Sequence, residues 1–183
     1  MARERSQLTH RLLRFSAAFY RGQLAQHSEA IQYLSSRGIS PELAEAFYVG
    51  FAPNEWRSLE TRLREAQAPL ELAKDLGLLR GTHSVDLFRN RILFPLTDLR
   101  GKVLGFGGRL LPGESQDGPK YLNSPESFVF SKSRFLYGLP QAQKSIREKG
   151  SVILLEGYFD VLSLHGIGIS EAVGTCGTAL TVD

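Results

Sequence analysis

The stretch that decides the fold runs from position 88 to position 160. It contains four short blocks: FRNRILFP at 88–95, GFGGR at 105–109, PKYLNSPE at 119–126 and LEGYFD at 155–160. The first three blocks carry four basic side chains, and the fourth carries two carboxylates, Glu156 and Asp160. This order places phosphate-binding groups just upstream of acids at the end of a predicted strand, which indicates a polyanion bound beside a cation site.

Around these blocks the pattern predicts a hairpin followed by a parallel unit. Residues 91–97 form an apolar run of strand length, residues 98–101 a turn with Gly101, and residues 102–111 the returning strand. A helix over 141–149 ends at Gly150. A buried strand over 151–155, a helix over 159–164 and a strand over 171–173 then follow without a hairpin signal, which predicts a parallel βαβ unit.

The first 80 residues are predicted to be helical. Apolar residues recur with a helical period from Leu8 to Leu24, and a second helix over 29–36 ends near Gly38. Ser40 followed by Pro41 is typical of a helix start. We also predict that Ser58 caps a helix and that a further helix over 69–76 ends at a glycine.

Composition and charge narrow the class of protein. The chain has 183 residues, 42% of them hydrophobic, and neither a membrane-spanning run nor an export signal is evident, so a cytoplasmic protein is expected. The only cysteine, Cys176, allows no internal disulfide and no cysteine-rich zinc site. Residues 88–150 hold 11 Lys and Arg against 5 Asp and Glu, a net charge of +6, whereas residues 151–183 hold none against 4.

Glu156 and Asp160 are the candidate catalytic and metal-ligating residues. Glu156 follows a strand, Gly157 permits a sharp turn, and Asp160 comes one helical turn later. Two converging carboxylates are hard oxygen ligands suited to Mg²⁺ or Mn²⁺. The alternative is structural: a single acid at a strand end, with Asp160 interacting favourably with the helix N-terminus.

The candidate nucleic-acid and nucleotide-binding residues lie upstream of the acids. They are Arg89, Arg91, Arg109, Lys120, Tyr121, Asn123 and Lys132. Arg89 and Arg91 are two positions apart and would share one face of a strand. The glycines of 105–108 are interpreted either as a place where a phosphate approaches the backbone or as a strand bulge. Each lysine taken alone is interpreted as an ordinary solvated surface charge.

Together the blocks resemble the RNA-polymerase core of bacterial DnaG-type DNA primases, and the resemblance covers nearly the whole chain. The strongest matches are 91–95, 105–109, 120–125 and 156–161, and the last is similar to the opening of a Toprim domain. The expected fold is an α+β basic subdomain over 1–149 that leads into a truncated parallel Toprim segment over 150–183.

The resemblance also implies an activity and partners. It implies RNA primer synthesis on single-stranded DNA from ribonucleoside triphosphates, with Glu156 and Asp160 as acids that use Mg²⁺ or Mn²⁺ and the seven upstream residues as the groove for template and nucleotide. It further implies a replicative helicase partner bound through a C-terminal region, a separate zinc-binding module and a nucleoid-associated location. Neither of these two regions has a counterpart in this sequence.

One departure from the family pattern limits this interpretation. The family's later Toprim acids form an Asp-x-Asp pair, which has no counterpart here, and Asp183 matches a helix start instead. We therefore expect a fragment that is inactive by itself. The alternative from another class is a non-catalytic module that binds single-stranded nucleic acid, and an assay of template-dependent nucleotide incorporation separates the two.

Overall fold

The structure is a computed structural model that describes residues 2–113 and 118–177. The helices are α1 (Ala2–Leu24), α2 (Ser28–Ser36), α3 (Pro41–Ala46), α4 (Ser58–Glu65), α5 (Leu70–Asp75), α6 (Leu139–Lys149) and α7 (Tyr158–Gly166), with a 3-10 turn at Lys132–Arg134. The strands are β1 (Gly50–Ala52), β2 (Leu79–Arg80), β3 (Val85–Asp86), β4 (Arg91–Thr97), β5 (Val103–Leu110), β6 (Tyr121–Asn123), β7 (Ile153–Leu155) and β8 (Ala172–Gly174). Asp183 lies outside the described residues.

An antiparallel sheet in the order β1-β4-β5-β6 forms the centre of the fold. The predicted hairpin is its middle pair, and the Asp98 carboxylate closes the turn by accepting bonds from the backbone N–H groups of Arg100 and Lys102. The register shifts between Leu96 and Thr97. Both faces of the sheet are covered, which explains why β4 reads as a continuous apolar run and not as an alternating one.

Two apolar clusters occupy the two faces of this sheet. Leu93 and Phe106 pack with α1, α4 and α5 on one face. Ile92 and Phe94 pack on the other face against α2, α3 and α7. Helix α1 lies close to β1, where Gly50 is required because a Cβ atom there would be 2.8 Å from the backbone of Tyr20. The sheet therefore joins the helical entry segment to the acid-bearing end of the chain.

The parallel unit follows β7, α7 and β8, and the two strands pair in parallel from Ile153↔Ala172 to Leu155↔Gly174. The predicted fold class is confirmed. The prediction that β7 is buried is wrong, because Leu154 is 42% exposed and its neighbours are only half-buried. Among the described residues β7 pairs with β8 alone, so its other edge and one face stay open.

The division at 149–150 stays a prediction as a domain boundary. Helix α6 ends at Lys149, and Gly150 takes the left-handed conformation that ends many helices. However, Phe94 and Tyr137 from the preceding part share one apolar cluster with Phe159 from the following part. No helix within 2–113 and 118–177 has the length and apolar character needed to cross a membrane.

Two predicted helix starts have different outcomes. The Ser40 hydroxyl accepts a bond from the Leu43 N–H at 3.2 Å, so this cap is confirmed. Ser58 is not a cap, because its hydroxyl donates to Glu55 instead. The N–H groups at the start of α4 are bound by Asp86, whose carboxylate oxygens lie 2.8 and 2.9 Å from the nitrogens of Leu59 and Glu60. Because Asp86 is far from the start of α4 in the sequence, this cap could not be predicted from the sequence.

The buried Asp86 carboxyl makes stability depend on pH. Burial raises its pKa from 3.8 to about 6, although the two backbone bonds act in the opposite direction. Between those values the folded protein holds a proton that the unfolded chain has released. The free energy of unfolding should therefore fall as pH rises through this window, by up to about 1.4 kcal/mol per pH unit.

Asp86→Asn cannot ionise and should remove that contribution. Urea denaturation at several pH values from about 4 to about 6 measures it as the difference from the unmodified protein. Asp75→Asn, at a mostly exposed carboxylate, should leave the pH dependence in place. An Asp86→Asn protein with an unchanged pH dependence would show that this carboxyl is not protonated on folding.

Candidate active site

Glu156 and Asp160 line one open cleft of about 580 Å³. Glu156 directly follows the carboxyl end of β7, and Asp160 lies in the first turn of α7. The other residues that line the cleft are Tyr121, Gly157, Tyr158, Thr175, Cys176 and Gly177. The two acids that the sequence singled out are therefore brought to the same cleft, at the sheet edge where ligands of parallel αβ units bind.

Gly157 is needed for the local geometry of these acids. A Cβ atom at this position would lie 2.6 Å from the Asp160 Oδ2 atom, so the Asp160 carboxylate folds back over a residue without a side chain. Both acids are exposed to solvent. Their side chains are free to rearrange around a ligand in the cleft.

The donor set of the cleft fits a divalent cation held partly by water. Glu156 and Asp160 supply hard carboxylate oxygens of the kind that Mg²⁺ and Mn²⁺ prefer. The described part of the chain contains no group of three His, Cys, Asp or Glu side chains that could hold a metal ion. These two acids therefore form an incomplete site, and the remaining ligands would come from elsewhere.

A second cleft, of about 420 Å³, is lined by Arg80, Arg89 and Arg91. No carboxylate of a described residue lines it. The Arg89 guanidinium lies 3.4 Å from the centre of the Trp56 ring and donates to Asn54 at 3.3 Å. Burial and the nearby charges of Arg109 and Arg80 lower the pKa of Arg91. Such clustered cations favour an anion in the cleft, since it would relieve their mutual repulsion.

Arg89 and Arg91 meet in this cleft for a different reason from the predicted one. The strand begins only at Arg91, and Asn90 between them has φ +49°, a left-handed conformation. The prediction that the two share a strand face is therefore wrong. The left-handed residue turns the backbone so that both side chains reach the same cleft.

A third, smaller cleft of about 300 Å³ is lined by Arg109 and Lys120. The Arg109 guanidinium is buried between two rings, 5.3 Å from the centre of Tyr121 and 5.8 Å from that of Tyr33, and it donates to the Leu110 carbonyl. Lys120 and Tyr121 are exposed. Arg109 is thus fixed by its surroundings, whereas Lys120 is free to reach a bound anion.

The segment 118–122 borders all three clefts. Gly118 and Pro119 line the arginine cleft, Gly118 and Lys120 the smaller cleft, and Tyr121 the acidic cleft. The strand β6, which begins in this segment, pairs with β5 along Arg109↔Tyr121 and Gly107↔Asn123. One surface strip therefore connects the arginines to the two carboxylates.

The remaining predicted site residues lie at different distances from this strip. Asn123 is half-buried and bonds to Tyr158 and to the loop after β8. Lys132 begins the 3-10 turn, where its backbone N–H donates to the Glu126 carboxylate, and it lines none of the three clefts. Its assignment as a nucleotide contact stays a prediction.

Sequence reasoning missed Asn54, Trp56 and Arg80. Trp56 is the only tryptophan of the chain, is 55% exposed and carries the Arg89 guanidinium on its ring. The sequence signal for this residue was a tryptophan that fits none of the predicted apolar helix or strand patterns. Arg80 offered no signal, because only the β2–β3 hairpin brings it next to Arg91.

The glycines of β5 do not open the backbone to a phosphate, so that interpretation is wrong. A Cβ atom at Gly105 would lie 3.0 Å from the Ser124 side chain, and one at Gly108 would lie 3.0 Å from Phe88. At Gly107 a Cβ atom would overlap the Tyr158 ring. The space above these glycines is filled by other side chains of the protein.

Comparison with known proteins is consistent with this arrangement. A family model described as DNA primase catalytic core, N-terminal domain, matches residues 19–143. A DNA primase of Pasteurella multocida (strain Pm70) is 41% identical over 177 residues, which are 95% of this chain and 30% of that protein.

Solved structures agree with the sequence relatives. The RNA polymerase domain of Mycobacterium tuberculosis primase DnaG is 36% identical with a TM-score of 0.88, over 96% of this chain and 58% of that one. A DnaG primase catalytic domain bound to single-stranded DNA is 39% identical with a TM-score of 0.87, over 97% of this chain and 58% of that one. The chain thus spans only part of the length of each of these proteins.

Substitution of Gly107 tests how the acidic cleft is built. Gly107→Ala would place a methyl group inside the Tyr158 ring, and relieving that overlap should cost about 1–3 kcal/mol of unfolding free energy. Gly22→Ala is the matched control, because a Cβ atom at this position of α1 meets nothing within 4 Å, and alanine favours helix. Chemical denaturation measures both, and equal stabilities would contradict the packing described.

Proposed function

Because this chain belongs to the DNA primase family and carries its N-terminal catalytic-core domain, we propose that it is the template- and nucleotide-binding part of an enzyme that makes RNA primers on single-stranded DNA. The observation that carries the proposal is the strip 118–122, which borders the arginine cleft, the smaller basic cleft and the acidic cleft. A polyanion lying along this strip reaches both carboxylates. The relative bound to single-stranded DNA supports the choice of ligand.

In the proposed reaction a primer 3′-hydroxyl attacks the α-phosphate of a ribonucleoside triphosphate. The backbone phosphates bind to Arg80, Arg89 and Arg91. The planar guanidinium groups also fix the orientation of these phosphates. Lys120 provides a movable charge for a further phosphate. The exposed ring of Tyr121, beside the acids, provides a surface on which a base stacks.

Glu156 and Asp160 are the residues that would hold the divalent ion, Mg²⁺ or Mn²⁺. Such an ion, when bound, neutralises charge on phosphate oxygens and makes a hydroxyl a better nucleophile. The two acids keep their own negative charge at the edge of a basic surface. This separation of charge keeps phosphates away from the carboxylates unless a cation lies between them.

The complete protein is proposed to have further parts and partners. Acids from the rest of the Toprim domain complete the metal site, a zinc-binding module accompanies the core, and a C-terminal region contacts the replicative helicase. Its work on single-stranded DNA places it at the nucleoid in the cytoplasm. These proposals rest on family membership, since the chain spans 30% of the Pasteurella multocida relative.

Oligonucleotide binding tests the strip 118–122 together with the arginines of the cleft beside it, which we call the basic strip. The chain should bind single-stranded DNA with strong salt dependence, because each phosphate neutralised adds about 0.7 to the slope of log affinity against log salt. Arg89→Ala and Lys120→Ala should each weaken binding and lower that slope by about this amount. Fluorescence titrations at several salt concentrations measure both quantities.

Lys144→Ala is the control for this experiment. Lys144 is exposed on α6, pairs loosely with Glu148 and lines none of the clefts. Its loss should leave the affinity nearly unchanged. If all three variants show equal and small effects, Arg89 and Lys120 are ordinary surface charges and the strip is not the DNA site.

Primer synthesis tests the role of the acids. Residues 1–183 alone should make no primers on a single-stranded template, because two-metal chemistry needs more carboxylates than the two in this cleft. In the protein extended through the rest of the Toprim domain, synthesis should appear, and Glu156→Gln should abolish it with DNA affinity nearly intact. Primer synthesis by 1–183, or a fully active Glu156→Gln protein, would place the catalytic centre elsewhere.

A further inference from the structure

The side-chain amide of Asn123 joins two segments that line the acidic cleft, the start of α7 and the loop after β8. Its Nδ2 group donates to the Cys176 carbonyl at 3.0 Å, and its Oδ1 atom accepts from the Tyr158 hydroxyl at 2.7 Å. Tyr158 lies between Glu156 and Asp160 in sequence, Cys176 lies in the loop after β8, and both residues line the cleft. Both functional groups of the amide are thus engaged within the protein.

Tyr158 is held rigidly at this junction. Its ring stacks on Phe94 with an interplanar angle of 1° at 4.6 Å, contacts Tyr137 edge-on at 4.9 Å and lies over Gly107. Its hydroxyl donates to the Asn123 Oδ1 atom at 2.7 Å. The hydroxyl therefore has a fixed position, at which the Asn123 amide meets it.

The loop after β8 is held by specific backbone contacts. The Thr175 N–H donates to the Leu155 carbonyl at 2.9 Å, and the Asn123 amide holds the next residue. Cys176 has φ +51°, a conformation that a residue with a side chain adopts at a cost. Cys176 is also buried in the apolar cluster, with its thiol against the Tyr158 hydroxyl, so the Asn123 amide acts on this loop together with these contacts.

From this geometry we infer that Asn123 is a positioning residue that sets the width of the acidic cleft by tying the Glu156–Tyr158 turn to the loop at Cys176. The inference rests on the proposed function for its catalytic consequence, but the tie itself is a property of this chain. Asn123 was expected from the sequence to contact nucleotide. In the positioning role its effect passes through Tyr158 and Cys176, and its loss changes the cleft rather than a ligand contact.

The single cysteine provides a direct readout of the loop. The Cys176 thiol is 8% exposed, and burial raises its pKa, so it should react slowly with an aromatic disulfide reagent in the native chain. Asn123→Ala, Asn123→Asp and Tyr158→Phe should each speed this labelling about tenfold, which corresponds to about 1.4 kcal/mol of easier loop opening. Asn123→Asp keeps the size and the acceptor, so it covers the case in which the alanine variant fails to fold.

Coupling between the variants decides whether one network is involved. The Asn123→Ala/Tyr158→Phe double variant should label no faster than the faster single variant, because both changes remove the same tie. Asp86→Ala removes the cap of α4 on the other side of the sheet and should leave the rate unchanged, which controls for general destabilisation. Wild-type labelling rates in the Asn123 variants, or multiplicative effects in the double variant, would overturn the inference.

Kinetics of the full-length protein distinguish positioning from nucleotide contact. In primer synthesis Asn123→Ala and Tyr158→Phe should lower kcat about equally and leave KM for the nucleotide unchanged, whereas a lost contact would raise KM in the Asn123 variant alone. If the unmodified full-length protein makes no primers, the proposed function fails, and the labelling experiment still decides the positioning role.

Discussion

The contact between Tyr158 and the backbone of Gly107 is the constraint on which the site depends. Only a residue without a side chain lets the ring lie on the sheet, and the ring in turn brings the start of α7 against β5 and β6. Glu156 and Asp160 flank this tyrosine by two residues on each side. Their distance from the basic strip is therefore set by one aromatic ring packed on one glycine.

The same sheet keeps several cations close together without acids of the described residues among them. Arg91 and Arg109 are buried, and both burial and the nearby charge of Arg109 disfavour the charged form of Arg91. A fold gains no stability from such an arrangement. Aromatic rings compensate in part, with Trp56 under Arg89 and Tyr121 beside Arg109. A phosphate backbone bound as proposed would remove the remaining repulsion, so stability and the proposed function would compete at this surface.

Much of the fold was predictable because its signals are local. The β4–β5 hairpin, the Ser40 cap and the parallel unit after Gly150 follow from periodicity, turn residues and chain order. The three-residue strands β1 and β6 are too short to show a period and were missed. The cap of α4 by Asp86 and the approach of Arg80 to Arg91 join residues that only the tertiary structure brings together. The acids were found from sequence because strand, glycine and helix are consecutive, whereas the role of the glycines in β5 required the position of Tyr158.

Localised cleavage of bound DNA tests the central claim, that one strand of nucleic acid lies along the basic strip and passes the two acids. Fe²⁺ in place of Mg²⁺ or Mn²⁺ reduces added hydrogen peroxide to hydroxyl radicals, which cut DNA next to the ion. An end-labelled oligonucleotide bound to the extended protein shows where the cuts fall. We expect cuts confined to a few adjacent nucleotides. These cuts should disappear in Glu156→Gln and remain in the Lys144→Ala control. Cuts spread evenly along the bound strand, or an unchanged pattern in Glu156→Gln, would contradict it.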